Sequence, residues 1–257
     1  MNWSATQYSK FERERNRPIL DLLAQLRVTD VNVCVDLGCG PGNSTELLQR
    51  HIPAADVVGL DSSEDMLSAA RKRMPGADFQ MGDISHWKAA EPVDVIFSNA
   101  ALQWVPDHQR LMPALVESLT KGGQLAVQMP DNLDEPAHVA MREVAADPRW
   151  RDRLSGAARP ADSRHAPDWY FNVLRKAGTS PDIWRTVYHH PLQGGPSAVV
   201  EWFKGSALRP FLKPLNEDEQ RAFLSMYEAA ITGAYPQQED GTVLLPFPRL
   251  LFVATRD

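Results

Sequence analysis

Apolar and polar positions alternate in blocks through the first half of the chain. Asn32–Leu37, Asp56–Leu60, Phe79–Met81, Val93–Ser98 and Gln124–Met129 are short runs, several of them nearly continuously apolar. Parallel strands covered on both faces carry this pattern, so five strands are predicted. Between them, Ser44–His51, Ser63–Met74 and Asp107–Thr120 read as helices. Ser62 followed by Asp65 has the spacing of a capping box, and Gly122-Gly123 supplies a C-terminal stop for the third helix. Strands with intervening helices predict an α/β fold built on a doubly wound, mostly parallel sheet.

After Met129 the rhythm changes. Residues 130–182 hold mostly helical pieces separated by Pro and Gly, and Ile183–His189 is a β-branched, aromatic strand candidate. Helical stretches follow around Ser197–Leu208 and Asn216–Tyr235, and Arg249–Thr255 reads as a last strand, which brings the sheet to seven. Helices inserted between late strands predict a cap laid over the carboxyl edge of the sheet. The expected organisation is a core over 1–130, a helical substrate cap over 131–182 and 191–247, and late strands 183–190 and 248–257 completing the core sheet. Trp3–Arg17, aromatic and charged, is expected to form a lid segment of that core.

Composition narrows the partners. The 257 residues, 43% of them hydrophobic, suffice for one elaborated α/β domain or two small ones. A net charge of −6 argues against a nucleic-acid surface, and an anionic substrate then requires a locally basic site. Arg149–Arg164 holds five Arg against two acids but lacks aromatics interleaved at regular spacing, so it reads as a solvated loop. No apolar run approaches the roughly 18 residues of a membrane span, and no charged-then-apolar leader is seen. No membrane partner and a cytoplasmic location are the expectations; the oligomeric state is not legible. Cys34 and Cys39 fit neither a disulfide framework nor a metal pattern and are expected to be small buried residues. His165, His189 and His190 have no Asp, Glu or Cys at ligand spacing, so no metal is expected.

The stretch from Val33 to Thr45 carries the chemistry. It is an apolar strand ending near Asp36, then a G-x-G-x-G loop at Gly38, Gly40 and Gly42 followed by Asn43, then a helix start at Ser44. This order builds a nucleotide site at the carboxyl edge of the first strand. Dinucleotide enzymes use G-x-G-x-x-G with the diphosphate on the helix N-terminus. Here the third glycine comes one residue early, and Asp36 would repel a diphosphate while suiting a cationic ligand end such as an ammonium group. The loop resembles motif I of class I S-adenosylmethionine (SAM)-dependent methyltransferases, whose fold is a Rossmann-like sheet.

Further candidates follow at successive strand ends. Asp61, beside Ser62, ends the second strand, where a carboxylate accepts from a ribose diol. Met66, one turn into the next helix, offers a thioether to the adenine face. Asp83 is placed to accept from the adenine amino group, with the Ile84 backbone N–H donating to a ring nitrogen. Asn99 closes the fourth strand and is expected to hold the methionine ammonium of SAM.

Five longer blocks bring a closer resemblance. They are Trp3-Ser4-Ala5-x-x-Tyr8-x-x-Phe11, Asn99-Ala100-x-x-Gln103-Trp104-Val105-Pro106-Asp107-His108 and Gln128-Met129-Pro130-Asp131-Asn132, with Glu201-Trp202-x-Lys204-Gly205-x-x-Leu208-Arg209-Pro210 and Phe247-Pro248-Arg249-Leu250. Together they resemble the trans-aconitate 2-methyltransferase family across nearly the whole chain. The Asn-Ala-x-x-Gln-Trp block is shared with the malonyl-carrier-protein methyltransferases. The resemblance implies monomethyl esterification of a tricarboxylate with release of S-adenosylhomocysteine. A substrate carboxylate, with a pKa near ~4, is already ionised and needs no general base. No catalytic acid or base is therefore expected, and positioning does the work. Arg209 and Arg249 are the expected carboxylate ligands, with Tyr8, Trp104 and Tyr170 as walls. The competing expectations are another small acid or a carrier-bound malonyl group as substrate, or a SAM-binding protein without turnover.

Overall fold

The computed structural model describes residues 12–157 and 165–257. Helix α1 (Glu12–Leu23) precedes a regular alternation of β1 (Val33–Leu37), α2 (Asn43–His51), β2 (Asp56–Asp61), α3 (Glu64–Arg73) and β3 (Asp78–Met81). Then come β4 (Val93–Asn99), α4 (His108–Glu117) and β5 (Leu119–Pro130), with 3-10 turns at Ile84–His86 and Leu102–Trp104. The later elements are α5 (Pro136–Ala145), α6 (Arg151–Leu154), α7 (Pro167–Lys176), β6 (Thr179–Gln193), α8 (Pro196–Lys204), α9 (Arg209–Leu212), α10 (Glu217–Thr232) and β7 (Thr242–Arg256).

The seven strands form one sheet in the order β3-β2-β1-β4-β5-β7-β6. β1 pairs in parallel with β2 and β4, β2 with β3, and β4 with β5. β7 runs against β5: Gln124 bonds Thr255 while Asp131 bonds Pro248, so one chain rises in number as the other falls. β6 runs against β7 by the same reasoning, from Asp257 on Gly178 and Gln193 on Thr242. The expected doubly wound, mostly parallel sheet is borne out.

Strand alternation divides the core between the two faces of this sheet. Leu37, Ile96, Leu125 and Phe252 lie in one buried cluster with α4 and α7 residues such as Leu111, Met112 and Leu174. Cys34, Val95, Phe97, Ala126 and Leu251 lie in the other, with Ile19, Leu22 and Leu23 of α1. Asp94 ties the amino edge together: Oδ2 accepts from the N–H groups of Asn32 and Val33, and Oδ1 accepts from the Thr120 hydroxyl. Both cysteines are free and buried, and burial pushes the Cys34 thiol up to about 12.

Three local readings are corrected. The third helix stops at Glu117, and Gly122-Gly123 sits inside β5. There the register against β4 slips, Val93 facing Leu119 but Val95 facing Gln124, and Gly122 takes φ +79°. The pair serves a bulge, which needs the same backbone freedom as a helix stop. The helix after β2 is capped by Ser63 rather than Ser62, without a side-chain cap, because Asp61 already accepts the Ser63 N–H. Helix α7, expected in the cap, carries Tyr170, Val173 and Leu174 into the core of the sheet.

The described residues fall into two compact units. One contains 12–130, 165–186 and 250–257. The other contains 131–157 and 187–249, where α10 packs against α5 and α8. A full capping box starts α10, Asn216 and Glu219 exchanging backbone bonds, and the Tyr235 hydroxyl accepts the Ala137 N–H at the start of α5. No described helix is long and apolar enough to cross a membrane.

Candidate functional site

The glycine loop connects β1 to α2 and is pinned from below. The N–H groups of Gly38 and Cys39 both donate to Leu60 O, at 2.7 and 3.0 Å. Gly38 takes φ +76°, and a Cβ there would lie 2.2 Å from the Ala101 Cβ. Gly42, at φ +85°, faces Ala70 at 3.1 Å. A Cβ on Gly40 would meet nothing within 4 Å among the described residues. Asn43, buried, donates from Nδ2 to Asn16 Oδ1 of α1 at 2.7 Å.

Asp36 is fully buried on the same face of β1 as Cys34. Its Oδ2 accepts from the Ser44 and Thr45 hydroxyls at 2.6 and 2.7 Å, whereas Oδ1 is buried without a hydrogen-bond partner among the described residues. Burial raises its pKa to about 6 against those two hydrogen bonds. Asn99 also holds a buried Oδ1 without a partner among the described residues. The next residue, Ala100, takes φ +54° and donates its N–H to Gln128 O. Gln103 Nε2 donates to Ala100 O at 2.7 Å and fixes the turn. Two buried oxygens without a partner among the described residues, near the glycine loop, fit a ligand that brings cationic hydrogen-bond donors.

Asp61 Oδ2 accepts from the Gly40 N–H and Oδ1 from the Ser63 N–H, both at 2.9 Å, and burial raises its pKa against these bonds and one from the Ser62 backbone. A carboxylate's several lone pairs leave acceptor capacity for a diol. Ser62 is exposed beside it. Asp83 caps the turn at Ile84–His86 by accepting the Ser85 N–H and hydroxyl on Oδ1, and these bonds lower its pKa. Ile84 is half-buried and packs on the core. Met66 is buried, only 3% exposed, so little of its thioether faces outward.

The expected substrate residues separate. Tyr8 lies outside the described residues. Trp104 is half-buried at the end of its 3-10 turn. Tyr170 is corrected to a core residue: it is fully buried against Phe252, and its hydroxyl lies 2.6 Å from His108 Nδ1. His108 Nε2 faces Leu102 O, an obligate acceptor, so the neutral ring accepts the Tyr170 proton on Nδ1. We expect Tyr170→Phe to lose about 1–3 kcal/mol by leaving that nitrogen unpaired, with the KM for the acid substrate unchanged. Urea denaturation and steady-state kinetics check this; a raised KM at unchanged stability would return Tyr170 to the substrate wall.

In the second unit, Arg249 is 3% exposed with its guanidinium over the rings of Phe247 and Tyr188, at 4.7 and 5.9 Å. Arg209 begins α9, half-buried, and burial lowers its pKa. His190 is buried and stacked on Trp202 at 4.6 Å, while His189 points outward. No cluster of metal-ligating residues occurs among the described residues. The sequence reading missed Ser44 and Thr45 as partners of Asp36, and Ala101 as the wall behind Gly38. Strand alternation does place Asp36 inward, but no local pattern announces Ala101.

Residues 34–123 match the Methyltransferase domain family. A solved structure, the YcgJ protein from Bacillus subtilis, shares the fold at a TM-score of 0.61 and 12% identity, over 94% of this chain and 98% of that one. With the glycine loop at the carboxyl edge of this sheet, these matches define a Rossmann-like methyltransferase. At full length the similarity is closer. The trans-aconitate 2-methyltransferase of Rhodopseudomonas palustris (strain BisB18) is 52% identical over 255 residues, 99% of either chain. That of Agrobacterium fabrum (strain C58) is 47% identical over 256 residues, 100% of either chain. The chain belongs to the trans-aconitate 2-methyltransferase family.

Proposed function

We propose that this protein transfers a methyl group from SAM to one carboxylate of trans-aconitate, forming a monomethyl ester. The full-length identity to named trans-aconitate 2-methyltransferases carries the reading. When bound, SAM supplies an electrophilic methyl group on a sulfonium. Asp36 and Asn99 take its ammonium group, Asp61 its ribose, and Asp83 with Ile84 its adenine. The substrate carboxylate is already ionised at neutral pH, so this chain needs no proton acceptor and is assigned none. Its contribution is orientation and the exclusion of water. Arg209 and Arg249 hold the carboxylates that do not react, with Trp104 and Tyr8 as walls. The cytoplasm, which keeps free thiols such as Cys34 and Cys39 reduced, is the proposed location.

The test is transfer of labelled methyl from SAM to a panel of di- and tricarboxylates and to malonyl-carrier protein. Activity on trans-aconitate is expected; activity only on the carrier-bound group, or none at all, would sink the reading. Arg209→Met and Arg249→Met should each raise the KM for trans-aconitate by about 10- to 100-fold while sparing SAM affinity, the effect of losing a charge-assisted bond. An unchanged KM removes the residue from the site.

A further inference from the structure

Strand alternation sorts the late half of β6. Tyr188, His190 and Leu192 are buried, whereas Val187, His189 and Pro191 are exposed. β7 lies beside it in the sheet, where Phe247 and Arg249, two positions apart, share a face. The rings show that these faces meet, since Phe247 lies 5.7 Å from the imidazole of His190. Trp202 of α8 stacks on that imidazole at 4.6 Å and meets Phe247 nearly edge-on at 5.7 Å. Tyr188 lies parallel to the imidazole, at 6.4 Å and an interplanar angle of 5°.

The Arg249 guanidinium covers Phe247 and Tyr188, the same rings that flank His190, at 4.7 and 5.9 Å. Imidazole and guanidinium are therefore neighbours in one aromatic cluster, and each residue is only 3% exposed. Pro248, between Phe247 and Arg249, accepts the Asp131 N–H, one residue past the carboxyl end of β5. Open α/β sheets bind their ligands at the carboxyl ends of their strands. Packing alone would be served by a phenylalanine at 190. The imidazole adds an N–H donor in either protonation state, beside a guanidinium whose fork suits a carboxylate.

We propose that His190 is a second donor to the substrate carboxylate that Arg249 binds. The proposal rests on the reading of trans-aconitate as substrate and of Arg249 as one of its ligands. A carboxylate has lone pairs enough for a bidentate guanidinium and an imidazole together. The surrounding rings hold both donors in place and keep water out, which strengthens each bond.

Mesaconate, itaconate and cis-glutaconate each lack a different carboxylate of trans-aconitate, and their inhibition constants test the proposal. His190→Phe keeps a ring in the stack and removes the donor. It should raise the KM for trans-aconitate about 10-fold at unchanged KM for SAM, and weaken two of these inhibitors by a similar factor. The remaining one, which lacks the shared carboxylate, should bind as before, and Arg249→Met should spare that same inhibitor. His190→Gln, which retains a donor, should show the same selectivity with a smaller loss, and it decides the matter if the phenylalanine variant does not fold. A loss spread equally over all the inhibitors, the result of a purely structural role, overturns the proposal. So does no loss at all, or a spared inhibitor that differs between the His190 and Arg249 variants. If the unaltered protein does not methylate trans-aconitate, the substrate reading itself falls instead.

Discussion

Gly38→Ala is expected to destroy both the SAM site and much of the fold's stability, whereas Gly40→Ala should lose affinity at a smaller cost in stability. At Gly38 the new methyl would sit 2.2 Å from the Ala101 Cβ, in a φ +76° conformation that costs an L-residue about 1–2 kcal/mol. Neither partner can yield easily. Gly38 is held by its bond to Leu60 O, and Ala101 follows the strained Ala100, itself tied to Gln128. The turn carrying Asn99 would have to retreat from the loop carrying Asp36. A SAM Kd raised at least about 100-fold, with a melting temperature several degrees lower, is the expected outcome. Ala101→Gly in the same chain should recover part of the stability by removing the clash but not the backbone strain. At Gly40, φ +55°, a Cβ would meet nothing within 4 Å among the described residues, so the variant carries the backbone cost of about 1–2 kcal/mol without the clash and its melting temperature should fall less than that of Gly38→Ala. If both alanine variants behave alike in calorimetry and thermal melts, the assignment of Gly38 to packing and Gly40 to ligand is wrong.

The two glycines illustrate what a sequence conveys about this protein and what it does not. Parallel strands buried on both faces are written as apolar runs, so β1 to β5 and the loop after β1 are legible from residue types alone. β6 is an edge strand whose exposed side chains, Arg185, Val187 and His189, interrupt its apolar signal. Only Ile183–His189 of its 15 residues is recognisable in advance. Gly122-Gly123 states that the backbone needs freedom without stating whether a helix ends or a strand bulges. Tyr170 has the chemistry of a ligand-binding residue, yet its hydroxyl is committed to His108, 62 positions away. Sequence spacing carries no trace of that pairing. The residues proposed for the cofactor are legible because most of them follow the end of a strand, which topology dictates. The substrate residues are drawn from the irregular second half, where only family likeness points to Arg209 and Arg249.

Asp36→Asn should weaken SAM binding by two orders of magnitude or more and abolish its dependence on pH between about 5 and 7. Burial raises the pKa of Asp36 to about 6, partly offset by Ser44 and Thr45 and reinforced by the nearby charge of Asp61. The unfolded value is 3.8, so this group's contribution to stability is fully present below about pH 4 and is lost as pH rises through about 6. The difference amounts to about 3 kcal/mol that the ligand-free protein lacks at neutral pH. A bound ammonium reverses this by favouring the ionised carboxylate, with Oδ1 as its acceptor. Binding is then coupled to loss of the Asp36 proton, and SAM affinity should fall up to tenfold for each pH unit below about 6. The asparagine variant has no proton to lose there and no charge to desolvate, so its ligand-free form should melt no lower than the unaltered protein at pH 7. Calorimetry across pH 5 to 8 decides the matter. A variant that kept the affinity and the pH profile of the unaltered protein would mean that Asp36 only braces the loop through Ser44 and Thr45.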